Sequence, residues 1–207
     1  MAQFVLRRWP IGNERLLEYL HEEYQFSDIK SVKVNQLTDI KPLLQNDFGG
    51  EENPNDCTLT AITTILTKYC SKSPSEIYDV VLKHAKKYFY TGKIGTQPPV
   101  MRTIMNKAAA ELGVKKRAVV RYGKNISFNF AGIKQHIDEG RPMMLSMFKD
   151  GREWYDDHSV TIIGYAEYKL DGKKTVRMLK VYDNWYEEVM YVNYELMHMF
   201  SSIHYYN

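Results

Sequence analysis

Cysteine is almost missing from this chain, which has two, Cys57 and Cys70. Two thiols cannot build the disulfide framework of a small secreted domain or a four-cysteine zinc site, so a reactive thiol is the chemistry left open to them. No metal or other cofactor is expected. Excess charge of one sign is also missing: 28 Lys and Arg stand against 25 Asp and Glu. That balance argues against a nucleic-acid partner, and the short run Lys115-Lys116-Arg117 reads as a solvated helix end. No stretch approaches the roughly 20 apolar residues that cross a bilayer, so no membrane span is expected. Met1 to Asn13 lacks the unbroken apolar segment of a signal peptide. The chain is therefore expected to be soluble, and cytoplasmic or, if a leader has been removed, secreted. Repeats and low-complexity segments are absent as well.

What is present is a composition suited to one hydrophobic core, with 44% hydrophobic and 26% charged residues over 207 positions. Leu16, Leu17, Tyr19 and Leu20 predict an N-terminal helix that fades near Ser27, and residues 1–35 read as a helical extension to a main domain at 36–207. From Ser31 to Pro54 the breakers Pro42, Gly49, Gly50 and Pro54 predict a loop leading to Cys57. Leu59, Ile62, Ile65, Leu66 and Tyr69 then recur at helical spacing. Ser73 and Glu76 form a capping-box pattern with Pro74 at the first helical position. Met101, Ile104, Met105, Ala108 and Leu112 form a third stripe ending at Gly113, and a weaker helix ends near Gly140. Beyond it, 142–148, 158–168, 175–182 and 189–192 are rich in β-branched and aromatic residues and predict strands. Helices first and strands afterwards indicate an α+β fold, with an N-terminal helical half packed on a C-terminal antiparallel sheet.

A catalytic cysteine needs access to its thiolate, which a place in the first turn of a helix favours through the macrodipole and free amides. Cys57, after the capping types Asn55 and Asp56, has that place. Cys70, near the other end of the same helix, does not. His158 opens a strand, and Asp171-Gly172 is a hairpin signal between this strand and the next. With that turn, Leu170 pairs with Lys173, His158 lies opposite Trp185, and Asp183 becomes its diagonal neighbour on the same face. Asn184 falls on the opposite face. A carboxylate so placed would hold the imidazole in one tautomer and stabilise the imidazolium. The plainer alternatives are a small buried hydrophobe for Cys57, a surface histidine for His158 and a turn carboxylate for Asp183. The other five histidines, His21, His84, His136, His198 and His204, lack such a partner and read as structural or solvated.

The segments Asn55-Asp56-Cys57-Thr58-Leu59-Thr60-Ala61, Asp157-His158-Ser159-Val160-Thr161-Ile162-Ile163-Gly164-Tyr165 and Val181-Tyr182-Asp183-Asn184-Trp185 together resemble the papain-like clan. Within it the chain is most similar to the bacterial C39-like cysteine peptidases, over roughly 45–192. The resemblance implies a papain-like fold, a triad of Cys57, His158 and Asp183, and hydrolysis of a peptide or protein substrate through a thiol acyl-enzyme. It also implies a glutamine upstream of the cysteine that helps bind the oxyanion. The papain spacing falls on Glu51, whereas Gln45 resembles the C39-like glutamine and Asn53 is a second donor. Thr58 stands where many relatives carry glycine. The same triad serves acyltransferases and amidases, and a catalytically silent peptidase-like binding module would keep the same fold.

Overall fold

The computed structural model describes residues 10–48, 55–93, 95–123, 129–147, 155, 157–197 and 201–207. Glu51, Asn53 and His198 lie outside these residues. Among the described residues five α-helices, α1 (Leu16–Tyr24), α2 (Cys57–Leu66), α3 (Pro74–Lys86), α4 (Pro98–Glu111) and α5 (Phe130–Asp138), pack on one antiparallel sheet. Its eight strands are β1 (Ile11–Gly12), β2 (Ile29–Gln36), β3 (Ala118–Tyr122), β4 (Met143–Ser146), β5 (Ser159–Leu170), β6 (Lys174–Tyr182), β7 (Met190–Asn193) and β8 (Ser202–Tyr206). The order is β1-β7-β6-β5-β4-β8-β3, with β2 on β5. The fold class is α+β, as the sequence predicts. The segregation is less strict than expected, because β1 and β2 precede α2 and β3 lies between α4 and α5. Part of the predicted loop from Ser31 is strand β2, whose Val32 and Val34 point outward and give no core signal. Among the described residues, no helix is long and apolar enough to cross a membrane.

Helices α2, α3 and α4 form a core with Met144 and Tyr206, while Met143, Leu145 and Tyr205 join a second core that includes Phe130, Ile133 and Ile137 of α5. Since alternate strand residues point to opposite faces, the sheet is covered on both sides around β4 and β8. Leu16 and Leu20 of α1 pack with Leu170, Val176 and Met178. The capping box at Ser73 forms as predicted, with the Ser73 hydroxyl accepting from Glu76 N and the Glu76 carboxylate accepting from Ser73 N.

The hairpin that positions His158 differs in detail from the expected one. Asp171 and Gly172 both take positive φ, and Lys173 N donates to Leu170 O, but the ladder resumes with Leu170 opposite Lys174. The extra residue on β6 is offset by one on β5. Ile162 pairs with Val181 while Gly164 pairs with Lys180, so Ile163 is bulged, and its carbonyl accepts from Leu37 N instead. At this point β5 exchanges β2 for β4 as its neighbour. The two irregularities cancel, leaving Thr161 opposite Tyr182. Counting outward, His158 reaches the level of Trp185, and their rings stack with centroids 4.1 Å apart. Gly164 is required at the crossing, because a Cβ there would lie 2.4 Å from the Asn35 carbonyl oxygen.

Candidate active site

Cys57 is the first residue of α2. The helix opens on Asp56, whose carbonyl accepts from Thr60 N, but the Asp56 side chain makes no capping bond. Its carboxylate is fully buried and accepts hydrogen bonds from the Tyr78 hydroxyl, at 2.8 Å, and from the Gln45 amide. Burial raises the Asp56 pKa, and these bonds oppose the rise. Asn55 turns away from the helix, its Nδ2 donating to Gly92 O and Lys93 O.

Burial also pushes the Cys57 thiol up, against hydrogen bonds from Ser159 N–H and from the hydroxyl and N–H of Thr58. This burial opposes the lowering of the thiol pKa that a helix start favours. The Thr58 hydroxyl lies 2.9 Å from that of Ser159, which donates to Ser146 Oγ. These three residues and Cys57 line a cavity of about 420 Å³ whose other walls include Gln97, Met101 and Asp157. Cys70 lies beyond the other end of α2, with its Sγ toward Leu66 O.

His158 is buried at the mouth of β5 in a three-ring cluster, stacked on Trp185 and 5.3 Å between centroids from Tyr155, which itself lies 5.5 Å from Trp185. Its Nε2 lies 2.7 Å from the backbone oxygen of Asp183. A carbonyl only accepts, so Nε2 carries the proton and Nδ1 holds the basic lone pair. Burial lowers the His158 pKa from 6.5 to about 4, leaving the ring neutral at neutral pH. Among the described residues no hydrogen bond joins His158 to the Cys57 thiol. The thiol instead meets the N–H of the next residue, Ser159.

The Asp183 carboxylate does not hold the imidazole. Its Oδ1 accepts from Trp185 N and Tyr186 N, each at 3.0 Å, and its Oδ2 from the Tyr155 hydroxyl at 3.0 Å. The plainer expectation of a turn carboxylate describes this side chain, while the main chain of the same residue contacts the histidine. Asn184, expected on the far face, is buried in the site. Its φ of 67° turns the chain left-handed, and Nδ2 donates to Cys57 O at 3.1 Å and Ser159 O at 2.8 Å. Its own carbonyl accepts from Gln45 N at 2.9 Å. The register argument places Asp183 and Asn184 in sequence order but cannot see that the chain leaves β6 after Tyr182 and curls. An Asn two residues beyond a strand end, a residue type that tolerates positive φ, is the available signal.

The sequence profile of the Peptidase_C39 like family matches residues 37–207. The chain belongs to that family. Its α+β architecture is the papain-like fold of C39-like proteins, and membership gives the general assignment of a cysteine-peptidase-type protein. A comparison with curated proteins finds no match.

Proposed function

We propose that this protein is a cysteine peptidase that cleaves peptide bonds through an acyl-enzyme on Cys57. Support comes above all from the commitment of His158 Nε2 to a main-chain carbonyl, which leaves Nδ1 to act as the base, and from the place of Cys57 on the wall of a cavity. A substrate carbonyl enters the cavity, the thiol proton passes to Nδ1, and Sγ bonds to the carbonyl carbon. The oxyanion is met by the N–H of Cys57 and by the Gln45 amide anchored on Asp56. The imidazolium returns its proton to the leaving nitrogen as the C–N bond breaks, and a water deprotonated by His158 then hydrolyses the thioester. Asp183 acts here through its carbonyl, which accepts the Nε2–H bond throughout. Buried neutral partners mean that the proton moves during attack, not before it.

A second reading, a catalytically silent binding module, is favoured by the missing Cys57–His158 hydrogen bond and by burial, which disfavours charge on both groups. Digestion of a denatured-protein mixture, with new amino termini identified by mass spectrometry, separates the two. Cleavage by the wild type that disappears in both Cys57→Ala and His158→Ala supports the peptidase. Cleavage that survives Cys57→Ala, or a wild type that neither cleaves nor acylates, refutes it.

A further inference from the structure

Asn184 carries two local burdens that folding alone does not require. It is a non-glycine residue with φ of 67°, and its Oδ1 is buried and accepts no hydrogen bond among the described residues. Such features persist where the surrounding structure holds them, and they gather at functional sites. The orientation of the amide is set by chemistry, since the nitrogen faces two carbonyl oxygens and an oxygen there would be repelled. Those two oxygens belong to Cys57, at the start of α2, and to Ser159, directly after His158. One NH₂ group thus clamps the nucleophile's main chain to that of the base's neighbour. The preceding residue's carbonyl holds His158 itself, and the Asn184 carbonyl receives Gln45 N. Every segment assigned to the chemistry converges on this one turn.

We propose that Asn184 is a positioning residue that sets the separation of Cys57 and His158 during acylation. The proposal rests on the catalytic reading given above. Asn184→Gly keeps the left-handed backbone and deletes the clamp. Asn184→Asp keeps the shape but aims a carboxylate at two carbonyl oxygens. Protonated, that carboxyl donates one hydrogen bond, so lower pH restores half of the clamp.

The test is the pre-steady-state acylation rate with p-nitrophenyl acetate as a function of pH, for wild type and both variants, below the thermal midpoint of each. Misplacement of reacting groups by about 1 Å costs on the order of 10²-fold, and Asn184→Gly should lose about that much with little change in KM. Asn184→Asp should lose at least as much at neutral pH, and its rate relative to wild type should climb as pH falls. A merely structural role lowers the midpoint without that acid recovery. A wild-type burst with Asn184→Gly within about twofold of it overturns the proposal alone, as does a pH-independent ratio for Asn184→Asp. If the glycine variant fails to fold, the aspartate series decides. Absence of any wild-type burst overturns the catalytic reading, and the proposal with it.

Discussion

On the helical side of the cavity Cys57 is presented by regular structure: α2 starts at Cys57, its flank is buried, and Asn55 and Asp56 just before it are tied down by their side chains. On the sheet side, His158 and its neighbours are held by main-chain oxygens, those of Asp183 and Ser159, across a bulge and a left-handed residue. The first side is written in side-chain types, the second in backbone path. The difference teaches where substitutions should hurt, since a side-chain contact is removed by mutating its owner, whereas a main-chain contact is disturbed only by moving the chain.

The largest expected contrast is in response to acid. His158 and His204 belong to the sheet side and His136, on α5, packs against Tyr205 of β8, and burial lowers each from 6.5 to about 4. The unfolded chain binds these protons near pH 6.5 and the folded chain only near 4. Stability is therefore full above 6.5, falls as pH drops between those values, and levels off below 4, by up to about 3 kcal/mol per histidine. Hydrogen exchange should find amides of β4, β5 and β8 losing protection at pH 5 before those of α3. Equal loss in both would erase the contrast.

Next comes Gly164→Ala, which adds a carbon 2.4 Å from a main-chain oxygen of β2 and cannot be relieved by a side-chain shift. Urea unfolding should show a loss of about 3 kcal/mol. A loss below about 0.5 kcal/mol would mean that the β2 contact carries no weight. Of similar size in free energy is the effect of Gln45→Ala, which should reduce kcat by about 10²-fold if the amide meets the oxyanion as proposed. Unchanged kinetics would remove Gln45 from the site.

The smallest effect expected is the one that a carboxylate-based triad would make large. Asp183→Asn preserves the main-chain oxygen on His158, can still accept from Trp185 N and Tyr186 N, and lets the Tyr155 hydroxyl turn to accept. It should lower kcat/KM by less than about tenfold, while Asp183→Ala, which strips one buried and two part-buried donors of their acceptor, should lose about 3 kcal/mol of stability. A loss of 10³-fold in Asp183→Asn would restore the carboxylate to a direct role.

The helical side was largely legible, because period and caps are side-chain properties: the stripes of α2 and α4, the box at Ser73 and the start at Cys57 are all in the residue types. The register at His158 was legible for a less secure reason, since two single-residue irregularities, at Lys173 and Ile163, happen to cancel. Strands β2, β3 and β8 left weaker traces. β2 turns its valines outward, and β3 and β8 are short and take their meaning from pairing with each other, Val120 with His204 and Tyr122 with Ser202. The partner of His158 was named by number but not by atom, because carbonyl oxygens are common to all residues and only the curl after Tyr182 selects this one. The same curl brought Asn184 inward.

Cys57 stands at the start of α2 and Cys70 beyond its other end, and locating the acyl group tests directly which of them reacts. The protein is mixed briefly with p-nitrophenyl acetate, quenched in acid and digested, and the modified peptide is identified by mass spectrometry. The account predicts one acetyl group, on Cys57, present in Cys70→Ala and absent in Cys57→Ala and His158→Ala. Acetylation of Cys70, or labelling of Cys57 that persists undiminished without His158, would contradict it.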